Sequence, residues 1–216
     1  MDKPTADIML RVLRLEREDI FGPLDPQMPI SEPADARLPA IGYVGARYRQ
    51  GGTVLLGINP GGGGDSYPRT PLDARLMPMI TALRKDADEP QMLAQMFDCY
   101  SESMRSWNLW RIVAPVLDAA NEEPGTIAYL NWCPFRTRGD GIPYAYAMRR
   151  SFEKSLAPLL TALRPQRVIA LGMKVGGWLE RVELGGVVSH VVPRTRGDQR
   201  VSDAALAALD AIRRIA

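Results

Sequence analysis

The chain has 216 residues, 46% hydrophobic and 24% charged, with a net charge of +2. This is enough for one large domain with a substantial core, and it excludes a polycation. Two cysteines and one histidine cannot by themselves build a disulfide framework, a tetrahedral zinc site or an iron–sulfur cluster. The apolar runs are too short to span a bilayer and the charged N-terminus has no secretory pattern. The expectation is therefore a cytoplasmic, metal-free and cofactor-free single domain over residues 1–216, with a helix and a proline-rich surface segment in residues 1–40.

In chain order, residues 5–18 place Ile8, Met9, Val12 and Leu13 at helical spacing, with Thr5 as N-cap. Residues 21–40 are proline-rich and predict an extended segment draped over the surface. The first strand is predicted over 53–58, followed by helices over 72–84, 90–105 and 107–120. A second strand covers 126–132. A helix over 146–163 carries Pro158, which should kink it. A third strand covers 167–171, a short helix 174–180, and a fourth strand 187–192. Ser202 caps a final helix through residue 215. Strands alternating with helices predict a parallel sheet covered on both faces, with a site outside the carboxyl ends of its strands.

The chemistry gathers at those ends. Val54-Leu55-Leu56-Gly57-Ile58-Asn59-Pro60 runs into Gly61–Gly64, an apolar strand feeding a loop whose backbone can approach a ligand closely. The loop lacks the Gly-Lys-Ser/Thr of a phosphate-binding loop and the spacing of a dinucleotide fingerprint, and Pro60 removes one backbone donor. Tyr129-Leu130-Asn131-Trp132-Cys133-Pro134-Phe135 and Ser189-His190-Val191-Val192-Pro193-Arg194 are read as two comparable strand ends. Each is followed by the same basic pentad, Arg136-Thr-Arg138-Gly-Asp140 and Arg194-Thr-Arg196-Gly-Asp198. Either pentad alone is ordinary turn chemistry with solvated charges. Two on one rim would make a positive face able to meet phosphates.

In these motifs the chain resembles the uracil-DNA glycosylase superfamily, most of all its mismatch-specific and single-strand-selective branches. Gly57-Ile58-Asn59-Pro60-Gly61 matches the first motif, Leu130–Phe135 resembles the segment bearing the base-reading Asn, and His190–Arg194 has the spacing of the final motif. The resemblance covers residues 40–216 in order and spacing. It implies an α/β fold, a three-layer α/β/α sandwich with a four-stranded parallel sheet, and a monofunctional enzyme that hydrolyses the N-glycosidic bond of uracil or a related deaminated base in DNA.

On that reading Asn59 orients a water, because an amide has no useful basicity, and His190 stabilises the charge developing on the base O2. Asn131 reads the base edge, its N–H toward O4 and its carbonyl toward N3–H. Gly57, Ile58, Gly61 and Gly62 line the base site. Tyr67 stacks on the ring, with Trp132 and Phe135 as alternatives. Arg136, Arg138, Arg194 and Arg196 contact DNA, with Arg194 where the family inserts a wedge. No lysine in the motifs is placed to attack the sugar. Two features depart from the pattern: Asn59 where the most active branch has aspartate, and a final motif without the usual Pro-Ser after the histidine. Two rival readings use the same pocket: a nucleoside or nucleotide hydrolase, and a non-catalytic module that binds a base or nucleic acid.

Overall fold

A computed structural model describes residues 3–31, 33–62, 70–85, 90–195 and 200–215. Helices α1 (Lys3–Leu13), α2 (Arg17–Phe21) and α3 (Pro33–Ala36) precede strands β1 (Gly42–Val44) and β2 (Thr53–Gly57). Then come α4 (Pro71–Lys85), α5 (Pro90–Ser103), α6 (Trp110–Ala120), β3 (Ala128–Asn131), α7 (Ala145–Ser151), α8 (Ala157–Leu163), β4 (Arg167–Leu171), α9 (Met173–Leu179), β5 (Val188–Val192) and α10 (Asp203–Arg213).

The fold is mixed α/β. Its sheet has five strands in the order β1-β3-β2-β4-β5, so the expected four-stranded, wholly parallel sheet is corrected. β3, β2, β4 and β5 are parallel, and β1 pairs antiparallel with β3. Gly42 makes this extra strand possible. It sits at φ +100°, and a Cβ there would lie 1.9 Å from the Tyr129 carbonyl oxygen, so only glycine lets the two backbones meet. Three residues are too few for an alternating pattern to announce a strand.

The β2 run Val54–Leu56 is wholly buried, as befits the central strand of the sheet. On one face Tyr43 of β1 reaches Met104, just beyond α5, and Arg167 of β4 donates to the Ala120 carbonyl that ends α6. On the other, a Cβ on Gly176 of α9 would strike Val191 of β5 at 2.5 Å, so a glycine lets that helix lie close. Trp132 Nε1 donates to the Met148 carbonyl of α7 on this side, and its ring stacks on Phe152.

The N-terminal region departs from expectation in two places. The helix over 5–18 is interrupted before α2, where Asp19 Oδ2 accepts from the Glu16 N–H and closes a new helix start. Thr5 lies buried inside α1 and does not cap it. The proline-rich segment is only partly a surface drape. Leu24 is 87% exposed, but Gln27, Ala36 and Ala40 are buried. Near Pro158 the helix widens to π geometry over Phe152–Leu156, which absorbs the missing N–H between α7 and α8. Ser202 caps α10 as expected, accepting from the Ala205 N–H at 3.2 Å. No helix among the described residues is long and apolar enough to cross a membrane.

Candidate functional site

Parallel pairing brings the ends of β2 and β3 level, with Gly57 beside Asn131. Beyond the strands the two chains stay joined, because Trp132 N–H donates to Gly57 O at 2.8 Å and Cys133 N–H to Ile58 O at 2.9 Å. Two loops therefore leave the sheet as one unit. Asn59 is half-buried on the first, and Asn131 is 4% exposed at the start of the second.

The Asn131 amide is held on one side only. Its Nδ2 donates to the Ala40 carbonyl at 2.8 Å, while its Oδ1 is buried and accepts no hydrogen bond. The hydrogen bond settles the orientation, since turning the amide over would set two oxygens against each other. A Cβ on Gly57 would lie 2.8 Å from the Tyr129 hydroxyl and 3.0 Å from Asn131 Oδ1. The missing side chain thus leaves both polar atoms converging over a bare Cα. A buried carbonyl without a donor costs about 1–3 kcal/mol, which a ligand N–H would recover.

The ring system behind Tyr129 is well packed. Tyr129 stacks with Tyr43 at 6.4 Å and meets Trp107 edge-on at 5.5 Å, and Trp107 in turn meets Tyr100. Burial pushes the Tyr100 phenol well above its ordinary range, partly offset by the nearby Arg136 cation. Tyr129 and Asn131 share a face of β3 by the alternation of the pleat, a signal that Asn131 alone did not exploit.

Arg136 lies differently from expectation. It turns inward rather than toward a DNA-facing rim. Its Nε donates to the Gly61 carbonyl at 2.8 Å and its Nη2 pairs with Asp73 of α4, with side chains only 11% and 5% exposed. The residue is a brace for the glycine loop. It lies 3.5 Å from the place a Gly62 Cβ would occupy, where the backbone has φ +86°. Arg138 is exposed on the following turn. Arg194 is exposed too, its aliphatic stem packed over Gly172 at the end of β4. Trp132 and Phe135 are fully buried and so are core residues rather than stacking rings. Tyr67 and Arg196 lie outside the described residues, as do Gly63 and Gly64.

His190 does not stand at a strand end. β5 continues to Val192, with His190 in register with Ile169 of β4 and Gly172 N–H still donating to Val192 O at 2.9 Å. The histidine is one pleat short of the strand's exit. It is also three strands away from Asn131, on the order of 14 Å across the sheet. Its Nε2 is buried without a partner, and burial together with Arg167 holds the imidazole below its ordinary pKa. The structure thus brings Gly57, Ile58, Asn59, Gly61, Gly62 and Asn131 together and leaves His190 apart.

The N-terminal segment braces the second loop. Arg17, 1% exposed, pairs with Asp25 and donates to the carbonyls of Ala36, Arg136 and Gln27 at 3.0, 2.6 and 3.1 Å. Gln27 meets the turn after Arg136 three times. Its carbonyl accepts from Arg138 N–H at 2.8 Å, its Nε2 donates to Ile142 O, and its Oε1 accepts from Tyr144 N–H. Among the described residues no group of three His, Cys, Asp or Glu side chains could hold a metal ion. Against known proteins, the chain matches no family model and no curated sequence.

Proposed function

We propose that the chain is a monofunctional DNA glycosylase that removes uracil or a related deaminated base, on a three-layer α/β/α sandwich of the uracil-DNA glycosylase type. The observation that carries the reading is the buried, unpartnered Asn131 Oδ1, beside the Tyr129 hydroxyl and over Gly57. An acceptor held in that way selects a ring N–H, which uracil has at N3 and cytosine lacks. The second hydrogen on Asn131 Nδ2 is the donor for O4.

In the reaction the C1′–N bond breaks with its electron pair going to the base, and water adds its oxygen to C1′. One water proton ends on the base and the sugar keeps a hydroxyl. Asn59 orients the water. The charge growing on the base falls to the backbone N–H groups of Gly61 and Gly62, in place of the imidazole anticipated for His190. Exposed Arg138 and Arg194 are the groups that meet phosphate.

The remoteness of His190 favours a second reading, a module that binds a base without cutting. One assay separates them: abasic-site formation on single-stranded, duplex and mismatched oligonucleotides carrying uracil or other deaminated bases, with free nucleosides alongside. Product from oligonucleotides supports excision. Tight binding with no product supports the second reading, and turnover of nucleosides alone would make the chain a small-molecule hydrolase.

A further inference from the structure

Thr137 lies directly after Arg136 and is fully buried. Its hydroxyl has one hydrogen, which goes to the Gly141 carbonyl across a tight turn. Gly139 at φ +62° and Asp140 at φ +54° form this turn, and Asp140 N–H closes it onto Thr137 O at 3.1 Å. With its hydrogen committed, Thr137 Oγ1 can only accept. Asn59 Nδ2 sits 2.7 Å from it and donates. The opposite orientation of the Asn59 amide would put a carbonyl against a hydroxyl oxygen that has nothing left to give.

We propose that Thr137 is a positioning residue for Asn59: the one-way relay Asn59 to Thr137 to Gly141 fixes which end of the amide faces the reacting water. The inference rests on the excision reading given above. An amide has a right and a wrong way round. Presenting N–H groups to the nucleophile's lone pairs would hinder attack, and presenting the carbonyl draws a water proton and aims the oxygen. Thr137 thereby sets the polarity of a side chain it never shares with substrate. The turn that holds Thr137 is itself fastened to Gln27, through Arg138 N–H and Ile142 O.

The test is a kinetic cycle on a uracil-bearing oligonucleotide. Thr137→Val keeps shape and removes the acceptor; Thr137→Ser keeps the acceptor. The expected result is a fall in kcat of about tenfold for Thr137→Val with oligonucleotide affinity unchanged, and near-native kcat for Thr137→Ser. The decisive arm is Asn59→Asp. A carboxylate has two equivalent oxygens and no N–H for Thr137 to accept, so on that background Thr137→Val removes an oxygen–oxygen repulsion and should cost nothing. An equal loss in both backgrounds would mean that Thr137 only supports the fold, and would overturn the proposal. So would native kcat in Thr137→Val. Should that variant fail to fold, Thr137→Cys, a weaker acceptor of similar size, carries the same cycle.

Side-chain amide hydrogen exchange of Asn59 in ¹⁵N-labelled protein separates the two possible failures. Slow exchange in wild type and Thr137→Ser shows the relay formed, even if no oligonucleotide yields product and the excision reading falls. Fast exchange in wild type overturns the relay itself.

Discussion

The exits of β2 and β3 and the end of β5 are built from the same kinds of residue and differ in what surrounds them. At the first, loops leave the sheet together, and Asn59, Asn131, Arg136 and Thr137 are each fixed by a named partner. At the second, His190 is a residue of the strand itself, its neighbours set by the pleat. The contrast teaches that spacing along a chain finds a site only when the strand stops where the motif requires. Val191 and Val192 are β-branched and prolong the strand past His190, where a Pro-Ser pair would have ended it.

The comparison can be broken by substitution. The largest effect belongs to Arg136→Met, which strands the buried Asp73 carboxylate and should cost about 3–5 kcal/mol. Arg138→Met, on the exposed turn, should stay within about 0.5 kcal/mol in the same denaturant titration. Equal costs would mean that Arg136 is no brace.

Asn131→Ala comes next. On the excision reading it should lower abasic-site formation by about a hundredfold, since Asn131 Oδ1 is the unpartnered acceptor of the candidate site. His190→Ala should leave the rate essentially unchanged. If the two variants lose activity alike, the division between the regions collapses.

Gly57→Ala drives a methyl group toward the Tyr129 hydroxyl and Asn131 Oδ1. About 1–3 kcal/mol of stability should go, read from the melting temperature, together with the base binding proposed for this site.

The smallest effect is a pH dependence. Burial and Arg167 depress the His190 pKa, so the folded state prefers the neutral ring. The unfolded chain then binds more protons in mild acid. Stability is complete above the ordinary imidazole pKa and falls as pH drops through that value toward the depressed one. Between about pH 7 and pH 5 the wild type should lose more melting temperature than His190→Gln. Matching slopes would count against the burial described for the ring.

Much of this was legible in the sequence. The apolar run of β2 and the Ser202 cap mark their elements directly, and the Asn59 loop marks a candidate site by ending a strand in Asn-Pro-Gly. Asn131 was also readable, being the polar end of an apolar strand. Other features were out of reach for physical reasons. β1 is too short to show a period. Arg136 looks the same on paper whether it faces solvent or Asp73, because only the fold brings α4 alongside it. Thr137 gave no sign, since its role depends on where its single hydrogen points. His190 lies inside the strand predicted over 187–192, so the strand's own bounds, and not the order of motifs, tell where it stands.

The clasp formed by Arg17 and Gln27 makes the first three dozen residues a part of the frame of the candidate site, although none of the candidate residues lies among them. A shortened protein lacking them would keep every candidate residue and lose the scaffold that aligns the second loop. Evolution or engineering could therefore dismantle the candidate site from the chain's quietest stretch.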